Sequence, residues 1–279
     1  MTTIVSPVFR EVKPTAQQID EARAVFESTI AADIARNSTA QQQRAEQMSR
    51  IIHPSSLQEN GTKDMKNTFH ALKELEEQTA AQQLHQLRSF DAGLEAQQQF
   101  MLKMDNQLKI GGPPYDVDWT SGVIASASKA TGEFSVNPMQ TSASAAVGMY
   151  LSPSEDMIAK FTAYMPIAFK WTHWVAGPGF AGSSGGVGIL IYDISGHFNP
   201  TDNRALLWNQ TLHGGIDRQE HYTYLGNTAA AETYFLMKKN GLYLIWAWCW
   251  AENHFGGTAV SLASVNCRMP FFVVRPQWL

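Results

Sequence analysis

The residues whose types and spacing suit chemistry gather in two places. HGGIDRQEH supplies His213, Asp217, Glu220 and His221. On a loop or a helical turn, donors four residues apart converge on one ion, which makes His213, Asp217 and His221 the candidate metal ligands. The order is not HExxH, and no third ligand or second layer of partners can be placed around the pair. Solvated polar side chains in a loop are the simpler account, and a metal-dependent enzyme at 213–221 is kept as a minor alternative.

The second place is YLIWAWCWAENHFGG, residues 243–257. Cys249 and His254 are the partners of a thiol nucleophile. Strand alternation, however, sets Cys249 mid-strand among apolar neighbours with His254 in the turn beyond, and a thiol buried without a positive partner is inert. Two further patterns match by letters alone. GPGFAG (177–182) fits a dinucleotide fingerprint and GSSGG (182–186), with Ser184, fits a nucleophile elbow, but both chemistries need a strand-to-helix turn at that point. A flexible Gly/Ser loop over 176–186, placed to act as a binding loop, explains both. No catalytic residue and no cofactor are expected. His173, between Trp171 and Trp174, and His197 read as structural.

Aromatic side chains are what remains. Period two places Trp246, Trp248 and Trp250 on one strand face and Tyr243, Ile245, Ala247 and Cys249 on the other. At least two of the three tryptophans should be core, because three of them facing solvent forgo a large hydrophobic gain. Any ring left outward is a stacking surface for a sugar, and Trp171, Trp174, Trp208, Trp248 and Trp250 are the candidate ligand-binding residues.

The elements that must position these residues fall into two compositions. Residues 1–112 hold 15 glutamines and neither Trp nor Tyr, whereas residues 113–279 hold all eight Trp and all eight Tyr. GGPP at 111–114 marks the boundary. The first region reads as helix, about 16–52 and 63–109. Thr15 and Gln18 form a capping box ahead of Ile19, Ala22, Phe26, Ile30 and Ile34. Leu87, Leu94, Met101 and Leu108 then repeat by sevens, with Phe90, Gln97 and Met104 three further on. So narrow a stripe packs either as a helical hairpin or against the same helix in a sister chain, as a homo-oligomer for which a trimer is one expectation. The second region reads as many short strands divided by turn signals. Among them, KKNGLYLIW looks like a hairpin with a type I′ turn. The expected fold is therefore α+β multidomain, a helical hairpin or coiled coil followed by an all-β antiparallel sandwich of jelly-roll type.

Composition closes off other classes. A net charge of −4 without blocks of like sign gives nothing to hold nucleic acid. Two cysteines are too few for a disulfide scaffold and are expected as buried free thiols. MTTIVSPVFREVKPT lacks the pattern of a signal peptide, and no apolar run reaches the roughly 18 residues of a spanning helix. A soluble product made in the cytoplasm is expected, with any release by a non-classical route. Alternating small residues in 124–152 suit either an edge strand with a wet face or a membrane-inserting hairpin. The reading is thus a non-enzymatic binding or assembly protein, an oligomerising stalk with a head for a carbohydrate or cell-surface ligand. The alternative is a pore-forming or insecticidal-type toxin that would meet membrane.

Overall fold

The computed structural model describes residues 8–10, 12–32, 87–88, 109–122, 124–138, 142–196 and 200–277. In chain order these form β1 (Phe9–Arg10), one helix α1 (16–32), β2 (Lys109–Gly111), β3 (Val117–Ser121), β4 (Ala125–Ser128), β5 (Glu133–Val136) and β6 (Ser142–Pro153). The long strands follow: β7 (Met157–Asp193), β8 (Thr201–His213), β9 (Ile216–Met237), β10 (Tyr243–Arg268) and β11 (Phe271–Gln277). All pairings among them are antiparallel.

β7, 37 residues long, would extend ~120 Å if it were straight. It cannot be straight. Its first residue, Met157, pairs with Met237, and its last, Asp193, pairs with Tyr243. Only residues 238–242 separate Met237 from Tyr243, a link of at most roughly 20 Å. The two ends of β7 are therefore neighbours, and the sheet curls on itself into a nearly closed barrel. Along one side of β7, β8 and then β9 run end to end; along the other lie β10 and then β11.

The sheet turns its sharpest corner on glycine. Gly177 of β7 (φ 112°), Gly214 (60°) and Gly215 (82°) between β8 and β9, and Gly257 of β10 (70°) all adopt the left-handed backbone that side chains resist. Gly177 N–H donates to Gly215 C=O at 2.7 Å and Gly214 N–H to Gly179 C=O at 2.9 Å, so the ladder stays closed through the bend. Inside the curl, one parity of each strand makes the core: Ala159, Phe161, Ala163 and Met165 with Val187, Ile189 and Ile191 from β7, and Tyr243, Ile245, Ala247 and Cys249 from β10.

The opposite face of β10 carries a second core, covered by α1 rather than by a sheet. Ala22, Phe26 and Ile30 sit on Val117, Leu190, Tyr192, Trp246 and Trp248. The Phe26 ring lies 4.7 Å from Trp119 and 4.8 Å from Trp246 between centroids. Thr15 and Gln18 cap α1 reciprocally: Thr15 N–H donates to Gln18 Oε1 at 2.9 Å and Gln18 N–H to Thr15 Oγ1 at 3.3 Å.

These findings overturn the expectation of long N-terminal helices followed by a jelly-roll sandwich. One curved sheet replaces the two stacked ones, and α1 lies on that sheet instead of projecting as a stalk. The heptads at 80–108 fall outside the described residues apart from Leu87–Arg88. There Leu87 is buried and Arg88 forms a two-pronged ion pair with Glu133 of β5, at 2.6 and 2.9 Å. That guanidinium holds the Glu133 carboxyl below its usual range. Two β segments, Phe9–Arg10 and Lys109–Gly111, also join the strands from the N-terminal side of GGPP.

Three local expectations are corrected as well, in whole or in part. The Gly/Ser stretch 176–186 is strand within β7, not a loop. Asn240–Gly241 does turn, with Asn240 at φ 60°, yet Gly241 lacks the positive φ of a type I′ turn and the strands it joins pair with β7 rather than with each other. The stretch 124–152 divides: among the described residues β4 pairs only with β5 and is partly exposed, as an edge strand should be, whereas β6 is held between β10 and β3 and buried on both faces beyond Ser142. Among the described residues, no helix is long and apolar enough to cross a membrane.

Phe26→Ala should cost about 3–5 kcal/mol of stability by emptying the contact between α1 and three tryptophans. Gln17→Ala, on the exposed side of α1, should change it by less than about 0.5 kcal/mol. Denaturant unfolding followed by tryptophan fluorescence measures both.

Candidate functional site

The outer face of the sheet is ordered by rows that cross three strands. Arg204 of β8, Gly188 of β7 and Trp248 of β10 are in register, and so are Leu206, Gly186 and Trp250. The middle strand carries no side chain in either row. A Cβ at Gly188 would lie 2.6 Å from Trp248 Nε1, and one at Gly186 would overlap the Trp250 ring. With that space free, both indoles lie across β7, and Arg204 reaches over it. Its guanidinium sits 4.7 Å from the Trp248 ring and 5.7 Å from that of Trp250. Asp202 fixes it from the other side by accepting from Arg204 Nε at 2.5 Å.

Around this stack opens a shallow cleft, lined by Ile30, Ser142, Ser144, Arg204, Trp248, Trp250 and Glu252. Trp250 is half-buried, whereas Ser144 and Glu252 are buried at its base. Ser144 Oγ and Trp248 Nε1 make no hydrogen bond among the described residues. Buried polar groups normally find partners, and these two lie behind the cleft, out of reach of solvent. Together the cleft presents apolar ring faces, a cation and a carboxylate, which suits a compact, hydroxylated ligand with an apolar face.

The five candidate tryptophans do not form one platform. Trp248 and Trp250 share the cleft, with ring centroids 4.9 Å apart, although Trp248 itself is only 1% exposed. Trp208 is buried inside the curl, stacked on Phe169 at 5.2 Å. Trp171 packs against the same interior, 4.6 Å from the His173 ring, and half-buried Trp174 is on the opposite parity of β7.

Nor do the candidate metal ligands converge. Asp217 and His221 are both on β9, where four residues span ~13 Å, and His213 closes β8 on the far side of the Gly214–Gly215 corner. His221 instead stacks on Trp171 at 5.8 Å, and Asp217 Oδ1 accepts from Arg218 N–H at 2.7 Å. No three His, Cys, Asp or Glu among the described residues are grouped to hold a metal. Cys249 and Cys267 are buried free thiols, and burial pushes Cys267 well up. His254 belongs to β10 itself, on the parity opposite Cys249, and Ser184 has strand on both sides.

A polar group inside the apolar barrel escaped the sequence. His173 Nε2 lies 2.8 Å from Ser183 Oγ, which also accepts from Trp208 Nε1 at 2.9 Å. Both His173 and Ser183 are fully buried. Burial, helped by His254 nearby, pushes the imidazole down to about 4, so it is neutral at neutral pH. Its Nδ1 has no hydrogen-bond partner, and no acid orients it. The trio is a structural lock rather than a nucleophile with its base. The one available signal was that 173 and 183 share a parity on what proves to be a single strand.

No family model matches the chain, and no curated protein does. Solved structures with some likeness include TmCBM61 in complex with beta-1,4-galactotriose, at 12% identity over 61% of this chain and 88% of that chain, TM-score 0.20. Another is the Podospora anserina GH26-CBM35 beta-(1,4)-mannanase, at 7% identity over 62% of this chain and 28% of that one, TM-score 0.23. A third, described as CBM4, shows 11% identity over 61% of this chain and 86% of that one, TM-score 0.16. These three are carbohydrate-binding modules, or carry one, at TM-scores too low to argue from.

Two outcomes follow from this geometry. Gly186→Val should destabilise the fold by at least about 2 kcal/mol through overpacking, read as a lower denaturation midpoint. Acid should also weaken the protein through His173: between its ordinary 6.5 and about 4 the unfolded chain takes up a proton that the folded one refuses. Stability is then lost as pH falls through that window, by on the order of 3 kcal/mol. His173→Gln should flatten that part of a stability–pH profile, and an unchanged slope would assign the acid sensitivity elsewhere.

Proposed function

We propose that the chain is a non-enzymatic carbohydrate-binding protein whose ligand occupies the cleft at Trp248 and Trp250. The observation that carries this reading is the convergence, in one cleft, of the Arg204–Trp248–Trp250 stack with Glu252 and Ser144. A sugar ring has an apolar face of C–H groups and an equatorial belt of hydroxyls. The exposed part of Trp250 receives the first by dispersion and by the attraction of polarised C–H groups to an electron-rich ring. Glu252 accepts from hydroxyls and Arg204 donates to them. The cleft is shallow rather than enclosing, so a ligand rests across its mouth against Trp250, which fits one terminal or branch residue of a glycan rather than an enclosed oligosaccharide.

Nothing in this reading uses acid–base catalysis, which distinguishes it from a glycosidase. In the cleft, Glu252 is the sole carboxylate among the lining residues, whereas glycoside hydrolysis employs a pair. The membrane-inserting alternative loses the second half of the 124–152 stretch that motivated it, because β6 is committed to the sheet on both edges.

A panel of neutral and charged oligosaccharides, titrated calorimetrically and on an array, tests the proposal. Binding should be lost by at least about 30-fold in Trp250→Ala and in Arg204→Ala, while Trp174→Ala, away from the cleft, should leave it intact. No binding by the folded protein across the panel would sink the reading, as would equal affinity in Trp250→Ala.

A further inference from the structure

The long outer margin of the sheet carries a self-complementary sequence. β9 is 22 residues long and bonds to β7 along one side; among the described residues no strand pairs with its other side. Near its C-terminal end Asn203 Nδ2 of β8 donates to the Glu232 carbonyl, so the open margin is the N-terminal part of β9, and such a margin is a template for another strand that folded proteins usually blunt with prolines or repelling charges. The segment 217–221, Asp-Arg-Gln-Glu-His, has no proline and carries charges of both signs, so it does not repel every partner strand, and it is exposed at every position on both faces.

Its polar side chains are arranged about Gln219 so that each side answers the other. When two copies of the segment pair antiparallel with Gln219 opposite Gln219, Arg218 of each faces Glu220 of the other, and Asp217 of each faces His221 of the other. Directly opposed residues in antiparallel strands share a face, with Cβ atoms about 4.5–5.5 Å apart. The two-fold axis makes each match twice. Within one chain Arg218 already meets Glu220 at 2.8 Å, but the two side chains are 54% and 58% exposed, so that contact is weak and gives way to the opposed one with the charges still matched. A one-residue shift of register would set Arg218 against Gln219 and break the correspondence.

We propose that β9 is a homodimer interface, in which a second copy of this chain adds its own β9 antiparallel to the uncovered margin with the two-fold axis at Gln219. The interface does not include the Trp248–Trp250 cleft and stands independently of its function. Where that cleft binds, the dimer carries two of them, and a branched or repeating ligand is held by both.

Light scattering and sedimentation over a range of concentrations should give a dimer. Arg218→Glu and Glu220→Arg should each weaken it about tenfold or more by opposing like charges twice. The double exchange, Arg218→Glu with Glu220→Arg, should restore the wild-type dissociation constant to within a few-fold. Gln219→Cys provides a second measurement that does not depend on charge: mild oxidation should yield a covalent dimer, because position 219 is its own neighbour across the axis. Asp217→Cys, ~13 Å from its counterpart along the strands, should not cross-link; Cys249 and Cys267 are buried and do not interfere. A monomer at every concentration, a dimer indifferent to both single reversals, a double exchange that fails to restore pairing, or cross-linking no better at 219 than at 217 would each overturn the proposal.

Discussion

Close approach of tryptophan to glycine across neighbouring strands is the constraint on which the outer face depends. Trp246 lies beside Gly148, Trp248 beside Gly188 and Trp250 beside Gly186. An indole standing upright on a pleated sheet would leave voids on either side; laid flat over a residue without a side chain, it fills them. Three consequences follow from the same three pairs. α1 finds a level apolar bed for Phe26, Arg204 passes over β7 to reach the rings, and a cleft remains where the bed extends past Ile30.

The interior obeys a different rule, because the corner that closes the barrel also brings polar side chains inward. Past Phe169 the odd-numbered positions of β7 admit Trp171, His173 and Ser183 among the buried apolar Val175 and Ala181 before Val187. His173 and Trp208 both bond Ser183 there, and Ser261 Oγ donates to Gly182 C=O at 2.6 Å from the neighbouring strand. A band of mutually bonded groups fixes how β7 lies against β8 and β10 near the bend, where apolar packing alone would tolerate sliding.

What was legible in the sequence was local. The two faces of 243–251 were read correctly, because period two needs no knowledge of partners, and so was the capped start of α1 with its stripe of Ile19, Ala22, Phe26 and Ile30. What covers each face was not legible: the tryptophans meet a helix more than 200 residues earlier in the chain, not an opposing sheet. Glycine misled most. In 176–186 it signals a loop by every local rule, yet its role there is to leave room for rings supplied by Trp208 and Trp250, which pattern alone does not connect. The site divides the same way. Trp248 and Trp250 stood out by residue type, whereas Arg204, Glu252 and Ser144 are ordinary surface letters until the register of β6, β7, β8 and β10 places them around one opening.

The curl of β7 also governs how this chain must find its structure. Met157 and Asp193 become neighbours only once β7 has acquired partners along both sides, drawn from segments up to about a hundred residues away. Almost none of that pairing is local, so the loop entropy is spent before most contacts return anything, and proteins built this way fold slowly. The short link 238–242 joins strands that meet on opposite ends of β7, which makes it the latch of the process rather than its seed. Until it closes, β9 and β10 are long uncovered strands on a nascent chain, the condition in which prompt folding assistance matters most.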